Sequence, residues 1–194
     1  MQAIDVLESI VRRRRTTKAA AMNAQRIPDN QIRQLLELAD WAPNHGKTEP
    51  WRFFVYTDQA LHEFGEQHAR MYWAHTPESK RTRAKYEKLQ MSARQASHLV
   101  IAVMKRTKQA RIPVLEETAA VAAAIENLLL GAAALELSAI WSTGGMAHHP
   151  AMKQALHLDE SDVIMGLLYL GYSDLPVRKG KRQLPLSEKV QWMG

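Results

Sequence analysis

The longest apolar stretch of the chain, residues 116–137, consists mostly of Ala and Leu and has apolar residues on most faces of a helix. Such a segment has a high helix propensity, and a helix without a single apolar stripe is buried in a core, a partner or a bilayer. Glu126 and Asn127 in its middle, and the excess of Ala over larger aliphatic residues, argue against a bilayer. The stretch is therefore predicted to be a central helix, shared between a core and a dimer interface.

The remaining elements follow from the spacing of apolar residues. Helical spacing predicts four more helical regions: 4–15, 28–41, 58–88 with a break near Thr76, and 147–156. Runs rich in β-branched and aromatic residues predict four strands: 52–56, 98–104, 139–145 running into a glycine turn, and 163–172. Two of these strands are continuously apolar, so the sheet is expected to be covered on both faces. Residues 106–111 are predicted to form a basic loop.

Composition narrows the class of protein. The 194 residues contain no internal repeat or low-complexity linker, so one domain over residues 1–194 is predicted. Cysteine is absent, which excludes disulfides, thiolate catalysis and cysteine-ligated metals. His148, His149 and His157 are interpreted as surface or supporting residues, and no metal site is predicted, because adjacent histidines point apart. The first residues do not resemble a signal peptide, so a cytoplasmic location is expected.

The net charge of +6 favours anionic partners, which include nucleic acid, a membrane surface and small phosphorylated molecules. The basic residues cluster at 12–18, 80–88 and 178–182. In the first cluster, arginines at a helix C-terminus suit the helix dipole. Alternatively, guanidinium, hydroxyl and ammonium groups converge there on a phosphate. The spacing of the residues leaves both interpretations open.

A loop rich in Pro and Gly, residues 42–50, precedes the first predicted strand and carries Asn44, His45, Lys47 and Thr48. Polar side chains on a rigid loop at the entrance of a strand are suited to ligand binding. The same sequence is equally consistent with a rigid turn whose polar side chains are solvated.

The order and spacing of three segments resemble the nitroreductase family, in particular its compact bacterial members: RRTTK at 14–18, a helix, and APNHxxxEPWRFFV at 42–55. The chain departs from the commoner family loop at Asn44, His45 and Lys47, and at Glu49, where Gln is usual. The resemblance implies an α+β, three-layer fold with a central mixed β-sheet flanked by helices, assembled as a domain-swapped homodimer. It also implies an oxidoreductase that binds FMN, uses NAD(P)H as co-substrate, and reduces nitroaromatics, quinones or similar small acceptors by a ping-pong mechanism. The partners expected are a second copy of the chain and a small electron acceptor, with no nucleic acid and no membrane.

The resemblance further implies which residues hold the flavin, and none of them is expected to act as a catalytic acid, base or nucleophile. Its phosphate is expected to contact the basic residues near both ends of the chain. Lys18 corresponds to the cation that stabilises negative charge on the reduced ring, and Asn44 and His45 are expected to reach it from the partner. The full set implied is Arg14, Arg15, Thr16, Lys18, Pro43, Asn44, His45, Lys47, Trp141, Ser142, Thr143, Gly144, Lys181 and Arg182.

Two other functions are consistent with part of the sequence. A flavin-binding protein on the same scaffold without reductase turnover has the same residues, and only steady NAD(P)H oxidation separates it from a reductase. An all-helical DNA-binding repressor has a similar length and a basic N-terminal region. The repressor is disfavoured by the buried strands at 98–104 and 163–172.

Overall fold

The structure, a computed structural model, describes residues 2–107 and 111–194. Within those residues four strands form one sheet in the order β1-β2-β4-β3: β1 (Trp51–Thr57), β2 (His98–Met104), β3 (Ser138–Ser142) and β4 (Val163–Gly171). The α-helices are α1 (Ala3–Arg13), α2 (Asp29–Asp40), α3 (Asp58–His75), α4 (Arg83–Gln95), α5 (Val114–Ala134) and α6 (Pro150–Ala155). Short 3-10 segments occur at Ala19–Ala21, His45–Lys47 and Leu186–Glu188.

Strand β2 shows how the layers form, because its alternate side chains belong to two different core clusters. Residues 100, 102 and 104 pack with α2 and α5, whereas residues 99, 101 and 103 pack with α3, α4 and α6. All seven residues of β2 are buried. A strand with apolar neighbours on both faces has no polar alternation, which is the pattern that the sequence predicted. The fold is therefore α+β with helices on both sides of the sheet, as expected.

Helix α5 is the central helix of the first layer and packs against α2. A Cβ at Gly131 would lie 2.7 Å from Leu38 Cδ1 and 2.8 Å from Leu35 Cδ2, so glycine allows the close approach of the two helices. Helix α5 is long and apolar enough to cross a membrane by length and composition alone. Val121, Ile125 and Leu128 are nevertheless fully buried inside the protein. The prediction of a buried core helix is confirmed.

The sheet and the first helix differ in detail from the sequence predictions. The sheet was expected to be mixed, but all three of its strand pairs are antiparallel. Among the described residues, parallel pairing is limited to an isolated bridge between Thr16 and Ala139. Helix α1 ends at Arg13 rather than at residue 15, because the chain from residue 14 onward is extended along β3. The split of residues 58–88 into two helices near Thr76 is confirmed. Of the predicted basic loop at 106–111, residues 108–110 lie outside the described part of the chain.

Candidate flavin site

The basic segment of residues 13–18 leaves α1 and is held in an extended conformation beside β3. The main-chain N–H of Thr17 donates to the carbonyl of Ala139 at 2.9 Å. Both arginines at the end of α1 contact α5: Arg13 Nη2 donates to the Ala133 carbonyl at 2.6 Å, and Arg14 Nε lies 3.4 Å from Glu126 Oε1.

Arg15 ties the basic segment to the C-terminal region of the chain. Its guanidinium donates to the main-chain carbonyls of Arg12, Arg14 and Arg178, the last at 3.0 Å. A Cβ at Gly180 would lie on the same guanidinium, so the glycine lets the chain pass close to the Arg15 side chain. The segment after β4 therefore packs over the basic segment, where Arg15 Nε holds it and the other two bonded donors go to the carbonyls of Arg12 and Arg14.

These elements enclose a groove with two lobes. The wide lobe has a volume of about 570 Å³ and is bounded by residues 13–18, by the C-terminal end of α5, by the start of β3 and by residues 173–178. The narrow lobe has a volume of about 290 Å³ and is lined by Arg14, Thr16, Glu126, Leu129, Ala139, Trp141 and Thr143. Because both lobes include Arg14, Thr16, Leu129 and Ala139, they lie side by side and are described together as one groove. Its lining combines apolar residues of α5 and β3, such as Leu129 and Ala139, with the basic residues Arg13, Arg14, Arg15, Lys18 and Arg178 and the acids Glu126 and Glu136.

A bulge in the neighbouring strand holds Trp141 in the narrow lobe. The register of β2 with β4 shifts between Ala102 and Val103, which leaves Met165 unpaired. The carbonyl of Met165 accepts the indole N–H of Trp141 at 2.8 Å. A Cβ at Gly166 would lie 2.3 Å from Trp141 Nε1, so the indole can rest on β4 only because residue 166 is glycine. The bulge thus directs a carbonyl at the indole, a use of bulges that is common near binding sites.

The turn after β3 rests on a buried histidine of α3. Gly145 has φ +69°, and a Cβ there would lie 2.5 Å from His68 Nε2. The same Nε2 accepts the main-chain N–H of Met146 at 3.0 Å, while His68 Nδ1 has no hydrogen-bond partner among the described residues. Burial, with a smaller contribution from the charge of Lys85, lowers the pKa of His68 to about 4. Neutral His68 therefore fixes the turn that carries Thr143 and Gly144.

Comparison with known proteins identifies the family to which the chain belongs. A model of the nitroreductase family matches residues 11–172, a span that includes the basic segment, the sheet and the turn after β3. The chain belongs to the nitroreductase family. It is 25% identical over 173 residues to the Escherichia coli K12 protein named "Putative NAD(P)H nitroreductase YdjA". The match covers 89% of this chain and 90% of that protein.

Solved structures show the same fold. The nitroreductase-like family protein from Bacillus cereus matches at a TM-score of 0.84 and 24% identity, over 100% of this chain and 98% of that one. The FMN-dependent nitroreductase NfnB from Mycobacterium smegmatis, solved in complex with NADPH, matches at a TM-score of 0.74 and 15% identity, over 100% of each chain. The three-layer nitroreductase fold predicted from the sequence is confirmed.

The structure brings six of the sequence-predicted residues of this nitroreductase into the groove. Those that line it are Arg14, Arg15, Thr16, Lys18, Trp141 and Thr143. Ser142 and Gly144 lie beside it, where the Ser142 hydroxyl accepts the N–H of Gly144 at 3.4 Å. Lys181 and Arg182 are exposed and do not line the groove, although the adjacent Gly180 packs on Arg15. Their contact with a flavin phosphate stays a prediction.

The loop with Pro43, Asn44, His45 and Lys47 lies at the opposite end of α5. His45 Nδ1 is 2.7 Å from Glu116 Oε2, in the first turn of α5, and Asn44 Oδ1 accepts the N–H of Glu49 at 3.2 Å. Because an α-helix rises 1.5 Å per residue, Glu116 is about 15 Å along α5 from Glu126. Within one chain of this nitroreductase, the loop and the groove are therefore separate.

Several residues of the groove were not among the predicted ones. Glu126 was interpreted only as evidence against a membrane span, and residues 173–177 were assigned no role. The wide lobe also includes Thr17, which lies in the RRTTK motif but was assigned no contact, and Ser138, which no motif singled out. Two signals were available in the sequence: a lone acidic residue in an apolar helix, and Arg178 at the start of the last basic cluster. Neither indicates its partner without the fold of the nitroreductase.

Proposed function

We propose that the chain is an FMN-dependent oxidoreductase that takes reducing equivalents from NAD(P)H and passes them to a small acceptor such as a quinone or a nitroaromatic compound. The observation that carries the proposal is the two-lobed groove beside the strand β3, with basic and apolar residues in its lining. Bound FMN would supply the redox chemistry, by accepting a hydride and passing electrons on. The protein then needs only to bind, orient and polarise the flavin.

The residues present fit the flavin. FMN combines a dianionic phosphate with a flat aromatic ring system, and the groove offers charged and apolar surfaces for the two parts. Arg14 and Lys18 provide charge for the phosphate or for the reduced ring, and Thr16 provides a hydroxyl. Leu129 and Ala139 provide apolar surface shared by both lobes. Because the flavin would supply the redox chemistry, an acid–base residue is not required at the reacting atom.

The role of each cation follows from its position. Arg14 lines both lobes, so its guanidinium reaches either a phosphate or a ribityl hydroxyl. Lys18 lines the wide lobe from an exposed position, where its ammonium group can stabilise negative charge on the reduced ring. We assign Arg15 a structural role, because its guanidinium is already held by three main-chain carbonyls.

The proposal includes a homodimer in which the groove of one chain meets the loop of the other. Large apolar side chains that one chain leaves exposed support it: Ile4, Leu7 and Val11 of α1, Trp41, and in the last residues Leu184, Leu186 and Trp192. Trp41 is 86% exposed and Trp192 is 92% exposed, which is unusual for tryptophan in a monomeric protein. None of the residues of α1 is buried, so the contact of this amphipathic helix with α5 leaves most of its apolar face exposed. A second copy covers these surfaces and brings Asn44 and His45 to the groove.

The proposal is tested by measuring how well the protein retains FMN and whether it oxidises NAD(P)H continuously. We expect the purified protein to retain FMN after desalting, with the flavin absorbance bands present, and to oxidise NAD(P)H continuously when a quinone is added. Retention without continuous oxidation would favour the flavin-binding protein that lacks reductase turnover. A protein that does not retain added FMN would contradict the oxidoreductase.

The shared site is tested by mixing two defective variants. Arg14→Gln damages the groove, and Asn44→Ala with His45→Ala damages the loop, so each homodimer is expected to bind FMN poorly. In a mixed dimer, one of the two sites then combines an intact groove with an intact loop. We therefore expect FMN binding, measured by fluorescence quenching, to recover at one site per mixed dimer. Absence of recovery, with mixed dimers shown to form, would place the loop and the groove in different sites.

A further inference from the structure

Glu126 places a carboxylate in the narrow lobe of a groove whose wide lobe is lined by five basic residues and by one other acid, Glu136. It lines the narrow lobe, of whose lining residues it is the only acid, and Arg14 is the only base. Its Oε1 lies 3.4 Å from Arg14 Nε, and the two side chains are 48% and 28% exposed. The pair is therefore partly shielded from water and stands where the two lobes join.

The helix itself does not explain this acidic residue. Glutamate on a helix is usually stabilised by a base three or four residues away. The positions at that spacing from Glu126 are occupied by Ala122, Ala123, Leu129 and Leu130. Glu126 has no helical partner of opposite charge, and its ion pair is with a residue that is distant in sequence. The carboxylate is thus directed at the groove.

We propose that Glu126 is an internal competitor for the anion-binding group of the groove, and that it sets an affinity threshold that phosphorylated ligands must exceed to occupy it. In the empty groove, the carboxylate holds Arg14; a ligand phosphate must replace that carboxylate to engage the guanidinium. Every phosphate-bearing ligand therefore loses the same increment of affinity. A ligand that also contacts the apolar residues of the lining tolerates the loss, whereas free inorganic phosphate does not. The inference rests on the proposed flavin function for the identity of the larger ligand.

The variant Glu126→Gln tests the competition, because it keeps the size of the side chain and removes its charge. An ion pair of this exposure contributes at most about fivefold in affinity. We expect inorganic phosphate and FMN each to bind up to about fivefold more tightly to the variant, as measured by calorimetry and flavin fluorescence. Riboflavin, which has the same ring without the phosphate, is expected to bind equally to both proteins.

Matched variants separate the local competition from a general change in charge. Glu8→Gln removes the same charge from another ion pair, with Arg12 on α1 at 2.6 Å, and is expected to leave all three affinities unchanged. In an Arg14→Gln background, Glu126→Gln is expected to have no effect on phosphate, because the group for which the two anions compete is gone.

The outcomes distinguish the inference from the function on which it rests. Equal phosphate and FMN affinities in wild type and Glu126→Gln, with FMN retained, would overturn the competition alone. An equal gain for riboflavin, or weaker FMN binding, would likewise overturn it, since the carboxylate would then act on the ring or orient Arg14 for binding. A wild-type protein that binds phosphate but not FMN would overturn the flavin function and leave the competition standing.

Discussion

Arg14→Gln is expected to weaken FMN binding by about 100-fold, the largest effect of any single change in the groove. Arg14 lines both lobes, and its side chain is 28% exposed, so its guanidinium acts in a partly desolvated position. A hydrogen bond to a charged group contributes about 1.5–3 kcal/mol, and about 2.7 kcal/mol corresponds to a factor of 100 in Kd. The measurement is the dissociation constant of FMN, by fluorescence quenching, in wild type and variant.

Two further variants test whether the loss of FMN affinity is specific to the Arg14 guanidinium. Arg12→Gln removes the same charge from the exposed end of α1, where Arg12 pairs with Glu8, and is expected to change FMN affinity by less than about twofold, as for most exposed ion pairs. Arg14→Lys keeps the charge but removes the planar fork, so a partial loss is expected. If Arg14→Gln binds FMN within twofold of wild type, the guanidinium does not contact the flavin.

The basic segment shows which part of the site the sequence can predict. The residue types in RRTTK were consistent with anion binding as well as with the helix dipole, and the structure places Arg14, Thr16 and Lys18 in one groove. The conformation of Arg14 and Arg15 was predicted wrongly, since the helix was extended to residue 15. Helical spacing is a local signal, whereas the segment is extended because Thr17 pairs with Ala139 of β3, more than a hundred residues later. That pairing determines the course of the segment beside β3.

The central helix was predicted well because its signal is local and strong. Alanine and leucine on most faces required burial, and the structure places α5 in the core. The contacts that two acidic residues of this helix make could not be predicted from its sequence. Glu116 and Glu126 contact His45 and Arg14, which lie in two segments that are distant from α5 in sequence. A carboxylate in a helix specifies a charge at that position, but only the fold specifies the cation that meets it.

The turn after β3 is another case in which the sequence did not indicate a contact that shapes the site. Here the contact is between a glycine and a neutral histidine. Gly144 and Gly145 indicated a tight turn at which the backbone approaches a ligand. The reason that residue 145 must be glycine is different, because its Cα hydrogen faces the ring of His68 from α3. Because this imidazole is buried, we expect the free energy of unfolding to depend on pH, which no motif indicated.

The free energy of unfolding is expected to fall by about 2 kcal/mol between pH 6.5 and pH 5 because of His68 alone. His68 is 2% exposed, and its pKa is lowered from 6.5 to about 4 in the folded protein. Below pH 6.5 the unfolded chain binds a proton that the folded chain does not, so stability is lost as the pH falls toward 4 and is fully present above 6.5. Burial also lowers the pKa of His98, which adds a loss of the same sign.

His68→Gln isolates this contribution. The glutamine carbonyl can replace Nε2 as the acceptor for the Met146 N–H and does not titrate. Urea unfolding between pH 7 and 4.5 is expected to show a shallower pH dependence in the variant, by about 2 kcal/mol at pH 5. His62→Gln, on an exposed position of the same helix, is expected to retain the wild-type dependence. An unchanged pH dependence in His68→Gln would show that His68 is not held neutral, and that other groups account for the loss of stability at low pH.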